Sequence, residues 1–521
     1  MTGQTGAGAE IVLRLDGITK RFGALTANDA ISLTLRRGEV VALLGENGAG
    51  KTTLMNILFG HYVADEGGIS VFGAPLPPGD PSAALRAGIG MVHQHFTLAE
   101  QMTVLENIIL GTESLLAPRS ATATARARIL GLGRDFGLEV DPDATITALS
   151  VGERQRVEIL KALYRDAHIL ILDEPTAVLT PRETEALFGT LKRLVAGGLS
   201  IIFISHKLHE VKAAAGRVVV LRGGRLAGER IAAEATEAEL AELMVGSAVP
   251  VLEIEPASPG PVLLALDNVS ARASRGSQRL VDASLALHAG EITGVAGVSG
   301  NGQSVLAGVI EGMVAPDAGR LVVADVPVEA WSPEIALRQG IGRIPEDRHA
   351  TGMIADMSVT ENVVSERYRE PRFSRRGLMD WSAARRFAAS LIAAYEVKCP
   401  SPDMRVRLLS GGNMQKLILG RALDGAPRII LANQPTRGLD VGAVAYVQAR
   451  LLDARRRGAA ILLISEDLDE VLSMADRVVV MSQGRLSRPV ARGALSTAEI
   501  GAMMAGRNMG ATPTGEMVHA A

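Results

Sequence analysis

Gly45-Glu46-Asn47-Gly48-Ala49-Gly50-Lys51-Thr52-Thr53 is a glycine-rich run that closes on a lysine and two hydroxyl residues, directly after the apolar segment Val40-Val41-Ala42-Leu43-Leu44. It fits the phosphate-binding pattern G-x-x-x-x-G-K-[ST], with a helix-compatible stretch following at 53–58. Glycines let backbone N–H groups curl around phosphate oxygens, and the next helix offers its positive N-terminus. Lys51 then reaches the β- and γ-phosphates, and the Thr52 hydroxyl ligates Mg²⁺. The stretch therefore predicts a strand–loop–helix unit that binds a nucleoside triphosphate.

Further along, the same frame returns damaged as Gly297-Val298-Ser299-Gly300-Asn301-Gly302-Gln303-Ser304. Three more pairs keep step with it. Leu149-Ser150-Val151-Gly152-Glu153-Arg154-Gln155 matches Leu409-Ser410-Gly411-Gly412-Asn413-Met414-Gln415, Leu172-Asp173-Glu174-Pro175-Thr176 matches Ala432-Asn433-Gln434-Pro435-Thr436, and Ile204-Ser205-His206 matches Ile464-Ser465-Glu466. Solenoid repeats run to tens of residues, so copies this far apart mean a duplicated domain. Pro, Ser, Gly and acidic residues interrupt the pattern at 250–261. This predicts a first domain over 10–249, a linker, a second domain over 262–508 and a disordered tail over 509–521.

The runs 169–172, 200–204, 428–431 and 460–464 are short and rich in Val, Ile and Leu, and read as strands buried on both faces. Helical stretches such as 182–195 and 443–456 alternate with them, which argues an α/β fold with a largely parallel sheet. A length of 521 residues requires more than one core. A formal net charge of −3 gives no reason to expect a nucleic-acid coat. The single cysteine, Cys399, has no internal disulfide partner and fits a reducing cytoplasm. No apolar run is long enough for a bilayer span, and 1–10 lacks the basic start and apolar core of a secretory signal. A membrane role is therefore expected to come through partners.

Asp173 and Glu174 close the apolar run 169–172. In that place Asp173 is expected to hold the Mg²⁺ hydration shell and Glu174 to polarise the attacking water. His206, after the next strand, is expected to contact the γ-phosphate and hold that water.

Leu149–Gln155 and Leu409–Gln415 resemble the LSGGQ signature of ABC transporter nucleotide-binding domains, which ordinary P-loop ATPases lack. Together with Gln94 after the 90–93 run, the resemblance covers residues 10–508. It implies two tandem ABC-type P-loop NTPase domains, each a largely parallel sheet with a helical subdomain, using ATP and Mg²⁺. It also implies that the domains close head to tail, with each ATP between one P-loop and the other signature. Phe22 would stack on adenine, a core aromatic being the other reading. Gln94 would ligate Mg²⁺ and open a coupling surface near 96–110, with Met102 and Leu105 among its residues.

The departures are uneven. In the second copy Gln303 stands in the place of Lys51, Glu346 of Gln94, Asn433 of Asp173, Gln434 of Glu174 and Glu466 of His206; Ser304 keeps a hydroxyl. Losing a general base typically costs about 10²–10⁴-fold in rate. The signatures show the reverse. Ser410-Gly411-Gly412 and Asp440 are regular, whereas Ser150 and Gly152 flank Val151, and Thr180 stands opposite Asp440. The expected scheme has one competent site, with Lys51, Gln94, Asp173, Glu174 and His206 facing Ser410, Gly411, Gly412 and Asp440. The degenerate site would combine Gly297, Gly302, Gln303, Ser304, Glu346, Asn433, Gln434 and Glu466 with Ser150 and Gly152.

The layout resembles the tandem ATPase subunits of bacterial importers for simple sugars and nucleosides. Met91–Phe96, Leu149–Leu160 and Ala432–Asp440 are similar to the nucleoside-type (basic membrane lipoprotein-linked) branch, with the ribose/galactose branch close by. The resemblance implies two permease subunits, an extracytoplasmic solute-binding (lipo)protein, no nucleic acid, and a peripheral place on the cytoplasmic face of the membrane. Ribosome-associated tandem ABC ATPases are the remote alternative; they keep both P-loops and carry a long charged linker. Among weaker signals, His93 and His95 lack a third metal ligand, Arg119, Arg126, Arg128 and Arg134 read as a solvated helical face, and Trp331 and Trp381 read as packing residues.

Overall fold

Val40–Gly45 is a central strand, flanked in parallel by Ser200–Ile204 and Arg217–Arg222. Ile169–Asp173 and Ile89–Val92 continue the sheet in parallel on one side, and Arg225–Ile231 closes the other side antiparallel. The inner strands are buried along nearly their whole length, which is why their sequences are continuous Val/Ile/Leu runs without alternation. This is a computed structural model, and it describes residues 10–93, 96–112, 121–176, 179, 181–205, 207–247, 254–255, 258–273, 278–507 and 509, with only the backbone at 121, 181 and 182. Gln94, His95, Arg119, Thr180, His206, much of 250–261 and the tail from 510 lie outside the described residues.

The chain divides into two units, Met1–Val249 and Pro250–Ala521. In the first, an antiparallel sheet of Leu25–Arg36, Ile11–Phe22, Glu66–Val71 and Ala74–Pro75 packs over the parallel one. Leu13, Leu15, Ile31 and Leu33 from it meet Leu43, Leu54, Ile171 and Ile202 in one core. The sequence pattern did not announce this sheet. Register shifts at Leu15/Ile18 and Ile18/Lys20 break the alternation of Ile11–Phe22, so its two-residue period is lost. Helices Val104–Ile109, Ala121–Phe136 and Val151–Tyr164 form a separate helical layer.

The second unit repeats the plan. Its sheet runs Ile341–Ile344, Ile429–Asn433, Ala460–Ser465, Ile292–Ala296, Arg477–Ser482, Arg485–Leu486, and Ile292–Ala296 lies parallel to both of its neighbours. Its antiparallel sheet is Arg279–His288, Val262–Arg272, Ala318–Val323 and Val326–Pro327. Among the described residues, no helix is long and apolar enough to cross a membrane.

Candidate functional site: two glycine loops and their acids

The helix Lys51–Leu58 starts from Gly50 at φ 98°, with no side chain capping it. Asp80, Thr103, Ser150 and Thr236 cap four other helices of this unit; the bare end here, like that of Leu208–Ala214, has no side-chain cap, and it leaves backbone N–H groups for a ligand. Glycine is required, because a Cβ at Gly50 would meet the Ala27 carbonyl oxygen at 2.3 Å. Asn47 and Gly48 are exposed at the tip, Glu46 is half-buried and Ala49 is buried. The Lys51 ammonium is buried and donates to the Gly45 and Glu46 carbonyls at 2.7 and 3.0 Å, which holds it across the loop. Thr52 is exposed and Thr53 half-buried on the first turn. Sequence reasoning missed Asn28, a fully buried side chain that donates to the Gly50 carbonyl at 3.0 Å and braces the loop from the antiparallel sheet. No local pattern marks it, since it acts across 22 residues.

Asp173 ends its strand on the same edge of the sheet. Burial pushes its carboxyl above the usual range, the neighbouring Glu174 charge adds to this, and the Lys51 ammonium opposes it. A half-exposed carboxyl that feels both the Glu174 charge and the Lys51 ammonium has the chemistry of a divalent-cation ligand, and with the exposed Thr52 hydroxyl it would be the residue to hold Mg²⁺. When bound, that ion neutralises developing phosphate charge. Glu174 sits at φ 46°, where its N–H donates to the Ile204 carbonyl at 2.9 Å. A left-handed glutamate is costly and persists only where its surroundings impose it. Part of that constraint is a lock the sequence reading missed. Thr176 Oγ1 donates to Glu210 at 2.6 Å, and Ser205 donates to the same carboxylate at 3.1 Å. Its signal was present in the repeat, because Thr436 donates to Glu470 at 2.7 Å and both pairs lie 34 residues apart.

In the second unit, the helix Gln303–Glu311 also starts from an uncapped left-handed glycine, Gly302 at φ 111°. Gln303 Nε2 donates to the Val298 carbonyl at 2.8 Å, reproducing the Lys51–Glu46 bond without its charge. A Cβ on Gly297 would meet the Met481 carbonyl oxygen at 2.8 Å, and Ser304 is exposed. Asn433 and Gln434 are buried, and Gln434 keeps the left-handed backbone at φ 50°. The Glu466 N–H donates to Gln434 Oε1 at 3.3 Å, and Glu346 is tied to Arg437 at 2.7 Å. Leu280 occupies the place of Asn28, so the brace is absent.

The two signature segments cap their helices differently. Ser150 forms a closed capping box with Glu153, which places a carboxylate on the helix N-terminus, and Val151 is 39% exposed beside it. A Cβ on Gly152 would meet the Glu183 carboxylate at 2.6 Å. In the second unit Asn413 offers a neutral amide to Ser410 Oγ at 2.9 Å, with Gly411 and Gly412 beginning the helix. Asp440 caps the helix Val441–Arg456 through the Ala443 N–H at 2.8 Å.

Several expectations change against the structure. Phe22 is 44% exposed and edge-on to Tyr62, so it is not a core aromatic. Trp331 packs as expected and donates to the Ile310 carbonyl at 3.0 Å. Trp381 is 45% exposed at the start of its helix, which contradicts a packing role. Arg126 and Arg128 lie on the solvated face of Ala121–Phe136 as expected, each paired at the surface with an exposed carboxylate, Asp143 and Asp166. Leu105 is buried, so it is no part of an exposed coupling surface; Leu110, 52% exposed, is the better representative.

The ABC transporter family profile matches residues 28–177 and 280–437. The nucleoside import ATP-binding protein NupA of Lactococcus lactis subsp. cremoris (strain MG1363) is 44% identical over 501 residues, covering 96% of this chain and 99% of its own. A glucose import ATP-binding protein of Haloferax volcanii is 43% identical, covering 92% of each. The guanosine import ATP-binding protein NupO of Bacillus subtilis (strain 168) is 42% identical, covering 95% of this chain and 98% of its own. With the profile matched in both halves and the likeness running end to end through these relatives, the chain belongs to the ABC transporter family, as an ATPase with two ATP-binding cassettes in tandem.

Proposed function

We propose that this ATPase energises nucleoside import, acting with two permease subunits and an extracytoplasmic solute-binding lipoprotein from the cytoplasmic face of the membrane. The observation that carries the substrate class is the length-wide likeness to a nucleoside import protein, at 44% identity over 99% of that relative. Motif details at Leu149–Leu160 and Ala432–Asp440 support the same branch. Simple sugars are the second reading, favoured by the glucose import relative at 43% identity.

Within the subunit, one site hydrolyses ATP. The first unit supplies Lys51, Thr52, Gln94, Asp173, Glu174 and His206, with Phe22 against the adenine. The second supplies Ser410, Gly411, Gly412 and Asp440. The neutral Asn413 beside Ser410 supports this pairing, since a γ-phosphate is repelled by a carboxylate such as Glu153 at a signature helix N-terminus. Uptake of labelled solutes by a deletion strain tests the substrate class. A strain lacking this gene should lose labelled guanosine and adenosine uptake and keep ribose and glucose uptake. Loss of sugar uptake alone would assign it to the sugar branch instead.

A further inference from the structure

We propose that the glycine loop of the second unit holds a nucleoside diphosphate without a divalent cation. The inference deepens the reading of this unit as an ATP-binding cassette with a degenerate P-loop, and it rests on that reading.

The parts of a P-loop divide by phosphate. The glycine backbone cradles the α- and β-phosphates, the lysine reaches the β and γ, and the hydroxyl and acids serve the metal. The second unit keeps the first part. Gly302 is left-handed, caps nothing with a side chain, and admits no Cβ, since one would meet the Arg279 carbonyl oxygen at 2.5 Å. The second part is lost, because Gln303 spends its amide on the Val298 carbonyl at 2.8 Å.

The third part does not fit Mg²⁺. That ion is ordinarily bound through one or two carboxylates together with substrate phosphates. Here both strand-end acids are amides, Asn433 and Gln434, and the Glu346 carboxylate is bound to Arg437 at 2.7 Å. Ser304 offers a single hydroxyl. Asn433 is buried, 7% exposed, and stands in the sequence position of Asp173 as a neutral amide, with no charge to attract a metal. Its strand position is level with Ile464, which is level with Val295, two residues before Gly297. That places Asn433 two strand spacings across and two residues along from Gly297, roughly 12 Å away. Glu466 stands at the γ-phosphate end in the position of His206 and repels a third phosphate. A triphosphate with neither lysine nor metal is disfavoured there, whereas a diphosphate needs only the retained backbone cradle.

The test uses the full-length chain with the first loop silenced by Lys51→Ala, and labelled ADP and ATP by equilibrium dialysis in Mg²⁺ or in EDTA. The variant should bind one ADP per chain, its Kd moving less than about threefold between the two conditions, with ATP in EDTA weaker by about tenfold or more. In the same background, Asn433→Asp should add a nucleotide-dependent Mn²⁺ signal in electron paramagnetic resonance that Lys51→Ala alone lacks. Lys51→Glu is a second silenced form if the alanine variant is unstable. ADP binding that weakens about tenfold in EDTA, or no ADP bound in either silenced variant, overturns the inference. Steady-state ATPase activity of the wild type is a separate readout, so failure here leaves the proposed import function standing.

Discussion

Glu174 and Gln434 share a backbone and differ in chemistry. Both lie at positive φ, at 46° and 50°, and both donate their N–H to the neighbouring strand, at Ile204 and Ile464. The turn that aims the side chain therefore survives in the copy that has lost the carboxylate. In the proposed one-site scheme, Glu174→Gln should lower steady-state ATPase activity at least about 10²-fold in the assembled transporter. Survival of half the activity in that variant would show that the second unit hydrolyses ATP too. A second residue-scale consequence concerns pH. Burial pushes the Glu470 carboxyl up to about 7, against the lowering effect of its hydrogen bonds from Ser465 and Thr436. Its folded value lies above the unfolded one, so the folded state binds the extra proton. Stability is therefore lost as pH rises from about 4.5 to 7, on the order of 3 kcal/mol in all. Glu470→Gln should remove that loss. Urea midpoints should show the variant gaining on the wild type between pH 5 and pH 8, and parallel curves would refute the buried-acid account.

At the scale of elements, the same strand–loop–helix unit occurs twice with different braces. Asn28 ties the first loop to its antiparallel sheet, and Leu280 leaves the second loop to the glycine geometry alone. The helix Val104–Ile109 buries Val104, Leu105 and Ile108, and its Thr103–Glu106 capping box fixes where it begins. What it offers to a partner lies at its far end, where Leu110 is exposed. Leu110→Asp should reduce solute uptake by about tenfold while ATP binding by the isolated subunit stays unchanged. Full uptake by this variant would remove the segment from the coupling surface. Leu105→Ala, by contrast, should destabilise the first unit by about 2–5 kcal/mol, the usual cost of truncating a buried leucine.

For the whole molecule, the proposed scheme makes the second unit necessary for hydrolysis performed by residues of the first. Ser410→Arg touches no P-loop, yet it should abolish ATPase activity, whereas Ser150→Arg should leave most of it. If the two variants behave alike, the asymmetry of function does not follow the asymmetry of sequence. The duplication, the glycine loops and the strand-end acids were all legible in the chain because each is a contiguous pattern with a local physical meaning. Glycine, lysine and carboxylate in a given order allow few other uses. The antiparallel sheets, the Asn28 brace and the Thr176–Ser205–Glu210 lock were not legible. Bulges erase the two-residue period of the first, the Asn28 brace joins residues with no shared motif, and the lock shows only when the two copies are set side by side. Burial was equally out of reach, as Trp381 and Leu105 show, because local hydrophobicity does not reveal which face a neighbour covers. The sequence by itself thus determined the family of chemistry and which copy keeps it. Only the tertiary structure decided where the altered residues are spent: Gln303 closes back on Val298 within its own loop, and Glu346 meets Arg437 because the sheet sets Ile341–Ile344 beside Ile429–Asn433.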